Sequence, residues 1–172
     1  MKKTLLFVLL PALPALAQST LHDTLVKHWK TTTDFTLAVA NAMPADSYNY
    51  RPVPEELSFG QLMVQVAAAN LNACSTASGM PRIPVPPEAA AAQKSPDVDK
   101  AIAIKFLTDT FKFCNDAVAS ITPEKLDAVV GTTRKMTGYE WLWSYFTHTA
   151  HHRGQAEVYL RMKGIVPPTY TF

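Results

Sequence analysis

Little in this 172-residue chain is charged, and neither sign prevails: 16 lysines and arginines face 14 aspartates and glutamates. A balance so close to neutral leaves no electrostatic footprint for nucleic acid or for an anionic membrane, and neither is expected as a partner. Internal repeats are missing, and no run is strong enough as strand to build a sheet. The longest apolar run, Thr4 to Leu13, is too short to span a bilayer comfortably. Pro11 and Pro14 interrupt it, so no stable membrane anchor is expected. Cysteine is scarce: Cys74 and Cys114 are the only two.

What the N-terminus does have is a basic start, Met1-Lys2-Lys3, then the apolar run, then Ala15-Leu16-Ala17. These are the three regions of a secretory signal peptide, with cleavage expected after Ala17. No cysteine follows the cut, so a lipoprotein is not indicated. Residues 1–17 are thus read as a leader and 18–172 as one domain, exported to the periplasm or beyond. Loss of Lys2 and Lys3 leaves 14 basic residues against 14 acidic ones. In an oxidising compartment an even cysteine count favours a structural disulfide joining two helices. Two buried free thiols are the alternative.

Helical periodicity dominates the rest. A first helix is predicted from Ser19 or Thr20 to about Met43, with Leu21, Leu25, Trp29, Phe35 and Leu37 among its apolar members. Ser58 is placed to cap a second helix running to about Ser78. Between them, Pro44 to Leu57 is a connector. Gln65 lies among apolar residues of the second helix, so its amide must join a polar site or face a cleft. Gly79 to Pro96, dense in proline, is predicted to be a loop, serving as a rim, a lid or a plain connector. A third helix is predicted from Asp97 to Ser120, a short turn from Thr122 to Ala128, and an extended linker from Val129 to Met136. Thr137 caps the last helix. The pattern is all-α and reads as a four-helix bundle.

The last helix organises the chain. Between Trp141 and Pro168 it reads WLWSYFTHTAHHRGQAEVYLRMKGIVPP. His148 and His152 are four apart and so share a face. Trp141, Gln155 and Tyr159 fall on the same arc, which is expected to point inward, while Glu157 and Arg161 fall on the expected wet side. Two inward imidazoles at this spacing can offer two ligands to one divalent metal. Gly164 and Pro167-Pro168 supply the stop. Arg153 is expected at the surface or capping a loop, and Gly154 where another helix approaches. His22, His28 and Ser144 have no companions that would make them ligands or a nucleophile.

The stretches HTAHHRGQAEVYLRMKGIVPP and SFGQLMVQVAAAN, in this order, resemble the closing and second-helix motifs of the DinB/YfiT-like family of four-helix bundles. With Tyr48 to Pro52, the resemblance covers nearly the whole mature chain. It implies a divalent metal (zinc, nickel, manganese or iron) bound by three histidines, one on the second helix and two on the last. His148 and His152 match the last pair, and Gln65 stands where the first histidine is expected. An amide oxygen is a harder, weaker donor than imidazole and suits zinc or nickel poorly. His151 would become a ligand only by rotating from the helix flank. The family's thiol-dependent transferases and isomerases need an intracellular thiol, which an exported protein lacks, so no substrate carries over.

Two readings follow. In the first, the chain is a metal-binding bundle with an incomplete histidine triad (His148, His152, Gln65), a metal-dependent enzyme of transferase or hydrolase type acting on a small molecule. In the second it is a non-catalytic bundle whose histidines form a hydrogen-bonded core with Gln65 and with Tyr145 or Tyr159. It then serves as a small-ligand-binding or dimeric interaction module. A homodimer is expected by analogy alone.

Overall fold

The computed structural model describes residues 13–170. Its long helices are α1 (Leu13–Ala42), α2 (Phe59–Ser78), α4 (Lys100–Ser120) and α6 (Gly138–Met162). Two short ones, α3 (Pro87–Ala92) and α5 (Pro123–Asp127), and two-residue strands β1 (Val129–Val130) and β2 (Met136–Thr137) complete the order. Each of α1 and α2 packs against both α4 and α6, so α1 and α2 occupy opposite corners of the four-helix arrangement. The connector between them therefore crosses one end of the bundle, and Tyr48 in it is fully buried. Among the described residues no helix is long and apolar enough to cross a membrane.

The predicted caps form. Ser58 accepts from the Gln61 amide, and the Gln61 side chain accepts from the Ser58 amide at 2.9 Å, a reciprocal capping box. Thr137 and Glu140 repeat the device at the start of α6. At its other end the Gly164 amide donates to Arg161 and the Ile165 amide to Leu160, both at 2.9 Å. Gly164 has φ 73°, so the helix closes in the left-handed turn that glycine permits.

Three expectations need correction. The first helix does not begin at Ser19 or Thr20. It extends back to Leu13, because Ala and Leu are strong helix formers and carry the turn backwards. The remainder of the expected leader, residues 1–12, lies outside the described residues. The stretch from Gly79 to Pro96 is not all loop either. Pro87 sits in the first turn of α3, where no amide hydrogen is needed, and four alanines follow. The third helix starts later than expected: Asp99, not Asp97, caps α4, its carboxylate accepting from the Ala101 and Ile102 amides. The Val129–Met136 linker is extended at its ends, pairing Val129 with Thr137 and Val130 with Met136 in a small hairpin.

Cys74 of α2 and Cys114 of α4 are joined as a disulfide, Cα to Cα 5.4 Å, across the bundle's most apolar seam. The core around it includes Leu62, Met63, Leu71, Leu107, Phe106 and Phe111, all essentially inaccessible.

Candidate metal centre

The predicted site residues meet. α2 brings Gln65 and α6 brings His148 and His152 to one point, where their side chains touch. His148 Nε2 and His152 Nε2 are 3.0 Å apart, and Gln65 Nε2 is 3.3 Å from His152 Nε2. His152 Nδ1 is 2.7 Å from Gln155 Oε1. An amide oxygen only accepts, so Nδ1 carries the proton and Nε2 turns its lone pair toward the other two residues; this tautomer is assigned from the hydrogen-bond network. His148 Nδ1 is buried without a partner among the described residues.

Burial lowers the pKa of both imidazoles. For His148 the proximity of His152 and then His151 lowers it further. For His152 the Gln155 bond opposes the fall, while His151 adds to it. Two rings held neutral have the protonation state that metal ligation requires. No group of three His, Cys, Asp or Glu side chains suited to a metal exists among the described residues. The third donor here is an amide, and the site contains no anion.

The rings are positioned by a buried polar clamp. Asn70 of α2 donates to Thr149 Oγ1 of α6 at 2.7 Å, and Thr149 donates back to the Tyr145 carbonyl at 2.8 Å. This fixes the register of α2 on α6 between the two histidines. On the adjoining face of α6, Arg153 is only 4 % exposed. Its guanidinium donates to Thr32 Oγ1 at 2.7 Å and to Thr36 Oγ1 at 3.2 Å, and lies over the Phe35 ring. It is therefore not the surface residue that its charge suggested. It docks α6 on α1, where small threonines leave room for it and hydroxyls satisfy it. Glu157, expected in water, is half-buried beside Arg153, 3.9 Å away. Among the described residues a side chain at Gly154 would meet nothing within 4 Å, so no described helix approaches it.

Gln65 opens onto a cavity of about 390 Å³, together with Gln61, Ala68, Ala69, Leu57 and Gln93. Gln93 follows α3, so part of the proline-rich stretch does form a rim. His151 is exposed, edge-on to His152 at 5.0 Å between ring centres. The Tyr159 hydroxyl donates to the Leu57 carbonyl instead of to an imidazole, and Tyr145 meets His148 ring to ring at 5.6 Å. No hydrogen bond joins Ser144 to His148 among the described residues. His28 lines a separate apolar recess with Leu25 and Phe146, and His22 Nε2 lies 2.9 Å from the Val118 carbonyl.

Residues 28–156 match the model of the DinB superfamily. No curated protein matches. Among solved structures the chain is similar to a DinB-like protein from Bacillus subtilis, with TM-score 0.68 and 20 % identity over 86 % of this chain and 96 % of that one. A DinB-like protein from Bacillus cereus gives TM-score 0.70 and 15 % identity over 87 % and 97 %. A conserved protein from Enterococcus faecalis gives 0.54 and 19 % over 87 % and 96 %. At these identities the likeness is one of fold.

Proposed function

This chain belongs to the DinB superfamily, and we propose that it binds a divalent metal through His148, His152 and Gln65. The observation that carries this reading is the 3.0 Å separation of the two Nε2 atoms. Two imidazoles on one tetrahedral ion place their nitrogens about 3.3 Å apart, so little movement is needed. The Gln155 bond to His152 Nδ1 is the outer-shell contact that orients a ligating imidazole. A half-turn of the Gln65 amide exchanges its nitrogen for its oxygen, the atom able to ligate. All three donors are neutral, and the adjoining cavity leaves space for a small-molecule ligand.

A metal there supplies Lewis acidity toward an oxygen or sulfur nucleophile, the chemistry of a transferase or a hydrolase. The chain's own residues orient that centre through Gln155 and keep both rings deprotonated by burial. Among zinc, nickel, manganese and iron, the amide donor favours the harder ions manganese and iron. The signal-peptide pattern and the Cys74–Cys114 disulfide both support our reading that the protein is exported to an oxidising compartment.

One observation favours a non-catalytic module instead. Gln65 and His148 each lie within hydrogen-bond distance of His152, a polar cluster that forms without any ion and leaves only His148 Nδ1 buried without a partner among the described residues. Plasma mass spectrometry of protein purified without a histidine tag separates the two readings. Near-stoichiometric metal is expected in the wild type, none in His148→Ala/His152→Ala, and tighter retention in Gln65→His. Absence of metal from all three would leave the hydrogen-bonded module standing.

A further inference from the structure

Tyr145, whose ring lies 5.6 Å from that of His148, also lines a second recess of about 510 Å³. Its walls include Asn72 and Thr76 of α2, Trp141 and Tyr145 of α6, Arg82 after α2, and Arg134 in the hairpin. Among the described residues no acidic side chain lines it. The Arg82 guanidinium donates to the Asn72 side-chain oxygen, which ties it to α2 at the recess. Among the described residues neither arginine has a carboxylate within ion-pair distance, whereas Arg153 and Arg161 both lie near Glu157. Gly131, with φ 95°, closes the hairpin turn that carries Arg134. A side chain there would collide with the Arg134 carbonyl. Trp141 and Tyr145 stack nearly parallel, 10° apart in plane with centres 5.7 Å apart, and form an aromatic wall leading to His148.

We propose that this recess holds the carboxylate of a small organic acid, whose apolar body lies on Trp141 and Tyr145 and whose far end reaches His148 and His152. The proposal rests on the metal-centre reading for what happens at that far end; the anion subsite itself does not depend on it. Guanidinium forks without a carboxylate partner match an oxyanion in geometry and charge, and in a chain this close to neutral they are a local concentration of positive charge. Asn72 and Thr76 add uncharged polar groups. Asn72 lies seven residues beyond Gln65 on the same helix, so the carboxylate and the reacting end are on the order of 10 Å apart. That length excludes the smallest acids and suits an arylalkyl or medium-chain carboxylate.

Calorimetric titration of the full chain with phenylbutyrate, phenylbutanol and inorganic phosphate tests the assignment, with chelator-treated and metal-loaded protein in parallel. Phenylbutyrate is expected to bind in both preparations. Phenylbutanol and phosphate should each bind at least about tenfold more weakly, since one lacks the charge and the other the apolar body. Arg82→Gln and Arg134→Gln should each cost about tenfold in phenylbutyrate affinity. Both side chains are exposed, so the variants should melt as the wild type does. Equal affinity for the acid and the alcohol, phosphate binding as tightly as the acid, or unchanged affinity in both arginine variants would overturn the proposal. Phenylbutyrate binding to protein that takes up no metal would retain this subsite and remove only the metal reading. Metal uptake without phenylbutyrate binding would do the reverse.

Discussion

The two neighbours of α2 meet it by opposite means. Toward α4 the seam is apolar and covalently closed: the buried side chains of α4 are Ala, Phe, Leu, Val and Cys with a single Thr110, and Cys74–Cys114 ties the helices together. Toward α6 the seam includes Asn70–Thr149 and Gln65–His152, and α6 itself buries Thr149, His152 and Arg153. An apolar seam tolerates small errors of register, because its stabilisation scales with area. A polar seam does not, because each buried donor left unpaired is penalised in full. One helix thus draws stability from one side and geometric definition from the other. The candidate chemistry is on the side where geometry is defined.

Breaking the covalent seam should have the largest effect. The bridge spans 40 residues of sequence, so Cys74→Ala/Cys114→Ala is expected to lose roughly 4 kcal/mol in urea unfolding. An unchanged midpoint would mean that the apolar packing alone holds α2 to α4. On the polar side, Thr149→Val takes the partner from one of the two Asn70 amide hydrogens, the other staying on the Val66 carbonyl, and should cost about 1–3 kcal/mol. If the same variant leaves metal affinity untouched, Thr149 serves the fold and has no part in positioning the rings.

The polar seam also has a pH dependence that the apolar seam lacks. His148 and His152 have folded-state pKa values below the ordinary one. Their contribution is therefore present in full above the unfolded value, about 6.5. It is lost as pH falls from there through the depressed folded values, since the unfolded chain takes up protons first. Thermal melts should show the transition dropping across that window in the wild type and flattening in His148→Gln/His152→Gln. An equal slope in the double variant would assign the acid sensitivity to other groups. The smallest expected effect lies on neither seam. Gly154 is exposed in mid-helix with open space around it, so Gly154→Ala should gain about 1 kcal/mol. A loss of stability or a change in molecular mass on a sizing column would show that another surface needs that glycine.

Much of this organisation is legible along the chain. Ser58, Thr137 and Gly164 announce helix ends through local chemistry that no tertiary contact overrides, and each end lies where its residue places it. His148 and His152 are readable because their spacing is a property of one helix. Gln155 falls on their arc, and its role as the partner of His152 Nδ1 is an i, i+3 relation open to inspection. Arg153, Asn70 and Thr149 are different. Their partners are 121 and 79 residues away in sequence, and nothing local distinguishes a buried arginine or threonine from a surface one. The start of α4 shifted for a simpler reason: Asp97 and Asp99 both suit a cap, and the choice fell on the one whose carboxylate reaches two free amides. α3 was hidden by its prolines, which forbid a helix interior but not a first turn.

The disulfide has a mechanical consequence as well. With α2 stapled to α4, those two helices form a single plate, and neither can swing outward without the other. Both recesses have one wall on that plate, in Gln65 and Asn72. Any widening of either must then be a displacement of α6 or of the loops around it. α6 is hung at its N-terminus from the hairpin that carries Arg134 and pinned along its length to α1 by Arg153. The two recesses thus share one stapled wall, and the wall that carries the histidines is held from behind by the Arg153 contact with α1.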